Sequence, residues 1–366
     1  MDYKIVKYSE IGKIRSGKRL PKGYTVSEKI SDNKYIRVRD INSGSIDSSI
    51  VQYITDEAAE KLERYKVKTR DVIISVVGTV GAIAQIDESL NGAYLTENCD
   101  NLQVDESLCL KDYLKYYLLS EDGNKEIIAN TVGSTQPKLP IYGIENFNIK
   151  LPSIDNQKRI VKLLNSIDKK IKLNNGINNN LYKLIKNNYE SLINGCNWEK
   201  VELGAISNIT SGKRPVDKSE TGEYPVIGAN GIMAYASDYN FNEDLIITGR
   251  VGTLGVVKRY LGKIWVSDNT LVIQTKYLNY IENYLKTIDY YSLNRGSTQP
   301  LLTQGDLKKQ IIYFNGESVT KFEKDNQIFV DKIRNNEKEN SKLIQLRDTL
   351  LPKLMNGEID LDNIEL

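Results

Sequence analysis

An internal duplication limits the fold of this chain more than any other feature. The tetrapeptide Ser-Gly-Lys-Arg occurs at 16–19 and again at 211–214, an offset of 195 residues. Gly-Ser-Thr-Gln-Pro occurs at 133–137 and again at 296–300, an offset of 163. Further matches follow in the same order, which predicts two copies of one structural plan. Because the offset falls from 195 to 163, the second copy is shorter by about 32 residues, all lost before the shared pentapeptide.

Each copy consists of a mixed region followed by one long helix. Short β-rich runs bounded by Gly and Asn turns fill the mixed regions, which also contain at least one helical stretch, such as 111–119. We expect an α+β protein with two pseudo-repeated α/β domains, separated by a pair of long antiparallel coiled-coil helices. The predicted boundaries are 1–152 and 197–315 for the domains, 153–196 and 316–357 for the helices, and 358–366 for an acidic tail.

A heptad pattern of apolar residues supports the coiled coil. Both seams carry asparagine at two equivalent positions, Asn174 and Asn178 in the first helix and Asn336 and Asn340 in the second. Buried asparagine at such positions weakens packing but fixes helix register, because a slip would bury unpaired amides. The alternative is that asparagine is simply common in this sequence, since 174–180 contains five. The matching positions in both copies favour the register interpretation.

The absence of histidine excludes many catalytic centres. It rules out Ser-His-Asp and Cys-His relays, as well as zinc or iron sites with histidine ligands. The spacing of Cys99, Cys109 and Cys196 fits no zinc cluster, so we expect free thiols in a reducing cytosol and no metal site. Gly-Thr-X-Gly at 78–81 and 252–255 is predicted to form tight turns and not phosphate cradles.

The sequence offers no sign of a membrane segment. Residues 1–4 lack the apolar core of a signal peptide, and the uncharged stretch 73–86 is too short to cross a bilayer. We therefore expect a cytoplasmic protein with no membrane partner.

A formal net charge of only +2 hides local basic clusters. Residues 13–39 hold nine Lys and Arg against two acidic residues, and 156–195 hold eight against two. Such clusters suit a phosphate backbone. A solvated surface is the commoner explanation for a charged run, but the duplication of Lys-Arg in both copies favours DNA.

Taken together, these motifs resemble the specificity subunits of type I restriction-modification systems over the whole chain. The likeness rests on Gly-Ser-Thr-Gln-Pro at 133–137, Leu-Pro at 151–152, Gln-Lys-Arg-Ile-Val at 157–161, and Leu-Leu-Pro-Lys-Leu-Met-Asn-Gly-Glu-Ile at 350–359. Tyr-Ile-Arg-Val-Arg-Asp-Ile at 35–41 and Tyr-Pro-Val-Ile-Gly-Ala-Asn-Gly at 224–231 match two styles of target-recognition domain. The second copy departs from the pattern, since it lacks the Leu-Pro before its helix.

The resemblance implies a non-catalytic subunit of a methyltransferase complex. Each target-recognition domain would read one half of a split site in double-stranded DNA, and the helices would dock two modification subunits. Those subunits would bind S-adenosylmethionine, and a restriction subunit would use ATP and Mg²⁺, so this chain would carry no cofactor. The sequence agrees, because no two prolines are adjacent, as a methyltransferase Asn/Asp-Pro-Pro-aromatic loop requires, and no Gly-Lys is followed by Ser or Thr.

Candidates for DNA contact are long polar side chains, which form bidentate contacts with purine edges. We select Lys18, Arg19, Arg37 and Arg39 in the first domain, and Lys213, Arg214, Asn230 and Arg250 in the second. The duplicated Ser134, Thr135 and Gln136 and their copies Ser297, Thr298 and Gln299 are expected to form a structural turn or to contact phosphate, because different half-sites need different readers.

Unequal domains predict an asymmetric bipartite target with an unread spacer and half-sites centred about 34 Å apart. The nearest alternative is a specificity chain that serves a methylation-only or nuclease-fused system. An alternative from another class is a coiled-coil scaffold between two protein-binding domains, without DNA binding. An enzyme that works through carboxylates and tyrosine is a third, although no supporting constellation occurs in the sequence.

Overall fold

The computed structural model describes residues 2–42, 44–48, 50–195 and 198–359. Cys196 and residues 360–366 of the predicted tail lie outside this described part. The chain divides into two compact units, one formed by Met1–Lys172 with Asn340–Leu366 and the other by Leu173–Glu339. Each unit thus contains one mixed region and one half of each long helix.

Within its described residues, the first mixed region contains eleven strands and five α-helices before the first long helix. In chain order they are β1 (Lys4–Lys7), α1 (Tyr8–Ile11), β2 (Gly12–Ser16), β3 (Lys34–Ile36), β4 (Ile41–Asn42), β5 (Ser45–Ile46), β6 (Gln52–Tyr53), α2 (Asp56–Lys61), β7 (Val72–Ser75), β8 (Ile83–Gln85), β9 (Tyr94–Leu95), β10 (Cys99–Val104), α3 (Lys111–Leu119), α4 (Glu121–Asn130), α5 (Ile141–Glu145), β11 (Asn148–Leu151) and α6 (Ile154–Ile193). Short 3-10 helices occur at Val38–Asp40, Glu63–Tyr65 and Glu88–Leu90.

The second mixed region repeats this order with fewer helices. Its elements are β12 (Glu199–Glu202), α7 (Leu203–Ile206), β13 (Asn208–Ser211), β14 (Tyr224–Gly228), β15 (Gly231–Ala236), β16 (Phe241–Asn242), β17 (Leu245–Gly249), β18 (Val257–Tyr260), β19 (Lys263–Val266), β20 (Thr270–Gln274), α8 (Leu278–Leu285), α9 (Gln304–Lys308), β21 (Ile311–Phe314) and α10 (Gly316–Met355).

The sheet topology confirms the predicted duplication. A larger antiparallel sheet has the order β2-β10-β7-β8 in the first unit and β13-β20-β17-β18 in the second. A smaller sheet joins a parallel pair to one antiparallel strand, as β6-β3-β9 in the first unit and as β15-β14-β19, extended by β16, in the second. The strands that flank each domain also pair in the same way, β1 with β11 and β12 with β21.

The length difference between the copies has two main sources. Helix α2 and the following 3-10 helix precede β7, whereas nothing helical separates β15 from β17. Later, α3 and α4 of the first domain correspond to α8 alone in the second. The lost segments are therefore mainly helical, and the strand order of the larger sheet is retained.

The long helices pair antiparallel within each unit, as predicted. In the first unit, Ile160 and Leu164 of α6 pack with Leu351 and Leu354 of α10 in the core that also holds α3. Asp168 accepts a hydrogen bond from Arg347 Nη1 at 3.2 Å. The observed α6, Ile154–Ile193, lies within the predicted range 153–196.

In the second unit, the helix halves bury polar and apolar residues alike. Ile185 of α6 and Phe322 and Ile333 of α10 belong to one core with α8. Asn336 Nδ2 donates to Asn178 Oδ1 at 2.7 Å, while Asn174 Nδ2 donates to Glu339 at 2.9 Å. A second amide pair, Asn188 to Asn326 at 2.9 Å, lies further along the same seam.

All four predicted seam asparagines are buried, including Asn340 in the first unit. Their role in fixing register stays a prediction, because burial and hydrogen bonding alone do not measure it.

The start of α10 has a local cause despite the missing Leu-Pro. The side chain of Asn315 accepts a hydrogen bond from Ser318 N at 3.0 Å, which is the N-terminal cap that asparagine favours.

The duplicated aspartate before the central strand anchors each domain to its helices. Asp71 accepts hydrogen bonds from Lys111 Nζ of α3 and from Asn101, both at 2.8 Å. Its equivalent Asp244 binds Arg259 through two nitrogen atoms and also pairs with Arg334 of α10. Asp71 is buried and Asp244 is partly buried, and a carboxylate removed from water needs such partners.

Candidate nucleic-acid interface

One turn in each domain joins the smaller sheet to the larger one. In the first domain it covers 96–98, between β9 and β10. Gly17 N donates to Cys99 O at 2.9 Å and Lys18 N donates to Leu95 O at 2.8 Å, so the segment after β2 lies on one side of the turn. On the other side, Val76 N donates to Asn98 O at 2.8 Å.

The second domain repeats these hydrogen bonds around the turn at 267–269. Gly212 N donates to Thr270 O at 3.1 Å and Lys213 N to Val266 O at 2.9 Å. Arg250 N donates to Asn269 O at 2.9 Å, in the place where Val76 stands in the first domain. Lys18 in the first domain and Lys213 and Arg250 in the second therefore lie beside an equivalent turn.

Close backbone packing explains why Ser-Gly-Lys-Arg occurs twice. A Cβ atom on Gly17 would lie 2.0 Å from Thr96 O, and one on Gly212 would lie 2.1 Å from Ser267 O. Only glycine allows this approach. The backbone of the lysine is also used, since Lys18 O accepts from Tyr35 Oη and Lys213 O accepts from Trp265 Nε1, both at 2.9 Å. The duplicated motif thus has a structural role, and the side chains of both lysines stay exposed.

The Gly-Ser-Thr-Gln-Pro loops attach to the same surface. Leu139 N donates to Val76 O at 2.9 Å in the first domain, and Leu302 N donates to Arg250 O at 2.8 Å in the second. The six candidate side chains on these loops are exposed, and no hydrogen bond to them occurs within the described residues. They are Ser134, Thr135, Gln136, Ser297, Thr298 and Gln299.

Each loop lies beside a Gly-Thr-X-Gly turn, as Val77 pairs with Lys138 and Val251 with Leu301. Gly78 and Gly252 have φ angles of 85° and 81°, a conformation that favours glycine. The predicted tight turns are therefore present in both copies.

Three of the predicted arginines line one open cleft of about 490 Å³ in the first domain. Arg19 lies on the loop after β2, and Arg37 and Arg39 follow β3 of the smaller sheet. Tyr35 and the turn residues Glu97 and Asn98 complete the polar part of the wall. Lys18, the fourth candidate, precedes Arg19 on the same loop.

The three arginines differ in how firmly they are held. Arg37 is largely buried, where Nε and Nη2 donate to Asp40 at 3.3 Å and Nη1 donates to Gln52. Arg19 is exposed and donates from Nε to Glu97 at 2.6 Å. Arg39 is exposed and makes only a 3.8 Å contact with Asp40. The guanidinium group of Arg39 is therefore the one most available to a ligand.

Glu97 is ionised in the cleft. Its partial burial would raise the pKa of this carboxyl, but hydrogen bonds from Arg19 and Thr96 outweigh burial and leave the pKa below its ordinary value. The carboxylate holds Arg19 over the cleft, so the charge of Arg19 is partly compensated before any anion binds.

The second domain has a hairpin in place of the cleft loop. Strands β14 and β15 are joined by Ala229 and Asn230, and Asn230 is exposed at the tip. Lys258 Nζ donates to Asn230 O at 2.6 Å. Lys213 and Arg214 are exposed, whereas Arg250 is half-buried and donates from Nη1 to Asp268 O at 3.2 Å.

Sequence reasoning missed several residues of this surface. Glu97 and Asn98 carried no motif; backbone hydrogen bonds of Gly17 and Lys18 bring them to Arg19, and the pairing of β3 with β9 brings them to Arg37 and Arg39. Lys258 lies far from the hairpin in sequence. Asn-Gly is a signal for a hairpin turn, and Asn230-Gly231 would have predicted a hairpin here, although the observed loop is Ala229-Asn230 and Gly231 already pairs with Gly228.

The buried thiols and the acidic residues form no metal centre in the described part of the chain, where no group of three or more potential ligands comes together. Cys99 and Cys109 are free cysteines, as predicted, and both are buried. Burial raises the pKa of Cys109 to about 12, with a smaller contribution from Glu106. No described helix is both long and apolar enough to cross a membrane.

The chain is similar to known proteins in both sequence and fold. The chain matches the family of type I restriction modification DNA specificity domains at residues 1–183 and 196–345, once for each copy. Two curated relatives come from Methanocaldococcus jannaschii. The type I restriction enzyme MjaVIII specificity subunit is 25% identical over 47% of this chain and 41% of its own length. The MjaIX specificity subunit is 25% identical over 70% of both chains.

The match therefore spans less than half of the first relative. Among solved structures, the S subunit of a type I restriction-modification system from M. genitalium superimposes with a TM-score of 0.60, over 97% of this chain and 96% of that one, at 17% identity. This likeness confirms the predicted fold, with two mixed domains and two long helices. Both copies match the family model, so the chain belongs to the family of type I restriction modification DNA specificity domains.

Proposed function

We propose that this chain reads an asymmetric bipartite site in double-stranded DNA, one half with each mixed domain, as the recognition subunit of a type I restriction-modification complex. The supporting observation is that both domains use the same turn to gather exposed polar side chains, but with different residues. The first presents Arg39 at the edge of a cleft, and the second presents Asn230 on a hairpin. A shared fold that presents different side chains in each domain suits a DNA site whose two halves differ in sequence.

The charge of the first domain favours a phosphate partner. Of its nine basic residues between 13 and 39, seven are exposed, and only Lys34 and Arg37 are half-buried. Exposed Lys and Arg attract the DNA backbone without regard to sequence, whereas side chains that reach base edges provide specificity.

We further propose that the helices dock two modification subunits. Large apolar side chains are exposed on the helices in both units, with Leu173 and Ile328 in the second and Leu346 in the first. A partner that covers these side chains would remove apolar surface from water, which favours association. S-adenosylmethionine would bind to the modification subunits, and ATP with Mg²⁺ to a restriction subunit.

The test is the pattern of DNA methylation in a host that expresses this chain with its modification subunit. We expect one bipartite motif with unlike halves and an unread spacer. Arg39→Gln should relax or abolish one half only, because a bidentate contact to guanine contributes roughly 1–3 kcal/mol to discrimination. Arg64→Gln is the matched control, since Arg64 is also exposed and does not line the cleft.

A continuous or palindromic motif would refute bipartite reading. No methylation together with no salt-dependent DNA binding would instead favour the scaffold alternative. Exchange of residues 1–152 for the equivalent domain of another family member should change one half of the motif and leave the other half intact.

A further inference from the structure

We propose that the hairpin formed by β14 and β15 enters the major groove of DNA as a two-stranded ribbon, with Ile232 and Met233 against thymine methyl groups. This inference rests on the proposed function and assigns it a specificity-determining element. Neither apolar residue is a member of the polar set expected from the sequence to read bases.

The exposure of these two residues requires an explanation. Ile232 is 59% exposed and Met233 is 50% exposed, although they are consecutive on a strand. Strand β15 lies at the edge of its sheet. Edge strands with adjacent exposed apolar residues invite aggregation, so proteins usually avoid them unless a ligand covers them.

The tip of the hairpin is held firmly. Gly228 pairs with Gly231 across the turn, and Lys258 Nζ donates to Asn230 O at 2.6 Å. Met233 packs so closely over Gly228 that a Cβ atom there would lie 3.1 Å from its sulfur. A fixed tip loses little conformational entropy when it binds.

Charge is distributed along the hairpin in a way that suits DNA at the tip. Lys213 N bonds to Val266 O beside the end of β14, which places the Lys213-Arg214 segment at the tip end of the sheet, where Lys258 also lies. At the opposite end, Glu223 accepts a hydrogen bond from Tyr224 Oη at 2.5 Å. Three basic residues therefore lie near the tip, together with Asp268 of the turn after β19, while the base holds both Glu223 and Lys263.

The same loop continues along the edge of the sheet. Ser219 and Tyr235 exchange two backbone hydrogen bonds, of 2.9 and 3.0 Å, and Ser237 N donates to the Asp217 carboxylate at 3.0 Å. These contacts cover the base of β15, so the uncovered part of the edge is the tip with Ile232 and Met233.

The shape and chemistry of this tip match the major groove. That groove is about 12 Å wide, admits a two-stranded β-ribbon, and presents the C5-methyl group of thymine as its apolar feature. Asn230, beside the apolar pair, has the amide that can bind the adenine edge. The first domain differs here, because β3 and β6 pair over only two residues, and the short hairpin of β4 and β5 lies between them in the chain.

The experiment uses the full chain with its modification subunit and a library of randomised DNA duplexes. Sequences selected by the wild type define the two half-sites. Thymine in the half-site read by the second domain is then replaced by uracil, which removes only the methyl group. We expect binding by the wild type to weaken by roughly fourfold for each contacted methyl.

The double variant Ile232→Ser with Met233→Ser should bind the thymine site more weakly and should no longer distinguish thymine from uracil. Leu261→Ser is the matched control, since Leu261 is an exposed apolar residue in the turn before β19. It should bind like the wild type.

Three outcomes would overturn the inference: a second half-site without an A·T pair, wild-type binding that ignores the uracil replacement, or a double variant with unchanged preference. The uracil measurement needs no variant, so a folding defect cannot obscure it. If the wild type selects no sequence at all, the proposed function fails, whereas a selected bipartite site with any of these outcomes refutes the hairpin alone.

Discussion

The amide pair Asn178–Asn336 provides a direct test of how the helix seam is stabilised. Asn336 is 1% exposed and Asn178 is 6% exposed, and they share one hydrogen bond of 2.7 Å. Asn336→Leu would leave Asn178 Oδ1 buried against a side chain that cannot donate. A buried unsatisfied acceptor costs about 1–3 kcal/mol, more than the net contribution of about 1 kcal/mol from the bond itself.

The double variant Asn178→Leu with Asn336→Leu removes both amides and buries two apolar side chains. It should be more stable than either single variant and at least as stable as the wild type, because burying a leucine contributes roughly 1.5–3 kcal/mol. The two changes should thus couple by at least about 1 kcal/mol, in the direction that favours the double variant.

Chemical unfolding of the four proteins, followed by far-UV circular dichroism, measures this coupling. Asn179→Leu is the control, since Asn179 is exposed on the same helix and its change should stay within about 0.5 kcal/mol. Additive effects of the two substitutions, within about 0.5 kcal/mol, would refute the reasoning. If the pair also fixes register, spin labels on the exposed helix faces should show broader distance distributions in the double variant.

Two further predictions concern packing and titration. Gly17→Ala should destabilise the first unit by about 1–3 kcal/mol, because the added Cβ atom would meet Thr96 O. Gly176→Ala should stabilise the protein by about 0.5–1 kcal/mol, because Gly176 lies in α6 with open space around it. Thermal unfolding in which the two variants changed stability in the same direction would contradict this. Burial raises the pKa of Glu323 to about 7, although it accepts N–H groups of Asn279 and Tyr280. A raised pKa favours folding of the protonated form, so this contribution is complete below about pH 4.5 and is lost as pH rises to 7. Relative to Glu323→Gln, the wild type should therefore lose up to about 3 kcal/mol between pH 4.5 and 8, and parallel stability profiles would disprove the assignment.

Periodicity and repetition predicted the frame of this molecule well. The heptad pattern predicted the first residue of each long helix to within two residues of its observed position. A buried seam that continues over forty residues is compatible with few structures other than a long helix. Repeated motifs marked the equivalent sheets. The parallel pairing of β3 with β9 could not be predicted, since it joins strands far apart in sequence by backbone hydrogen bonds that carry no residue signature.

Within the candidate surface, sequence identified residue types but not their partners. Arg37 and Arg39 are equivalent by composition and spacing, yet Arg37 is held by Asp40 and Gln52 while Arg39 is nearly free. That difference depends on which side of the chain faces β6, a property of tertiary structure. Apolar recognition by Ile232 was missed for another reason, since an apolar residue in a strand normally predicts a core.

The duplicated motifs and the residues proposed to contact DNA bases have different roles in the structure. Gly17 and Gly212 recur because the backbone of the following turn leaves no room for a side chain. A substitution at Gly17 or Gly212 would disturb the contact between the two sheets of its domain. It would therefore also displace the side chains that the adjacent turn positions for DNA contact. Residues at the cleft edge and at the hairpin tip face solvent, so they can change without such a cost. Recognition can therefore diverge between the two domains while the frame that supports it stays the same, and a change of specificity should require substitutions at the tips and none in the duplicated motifs.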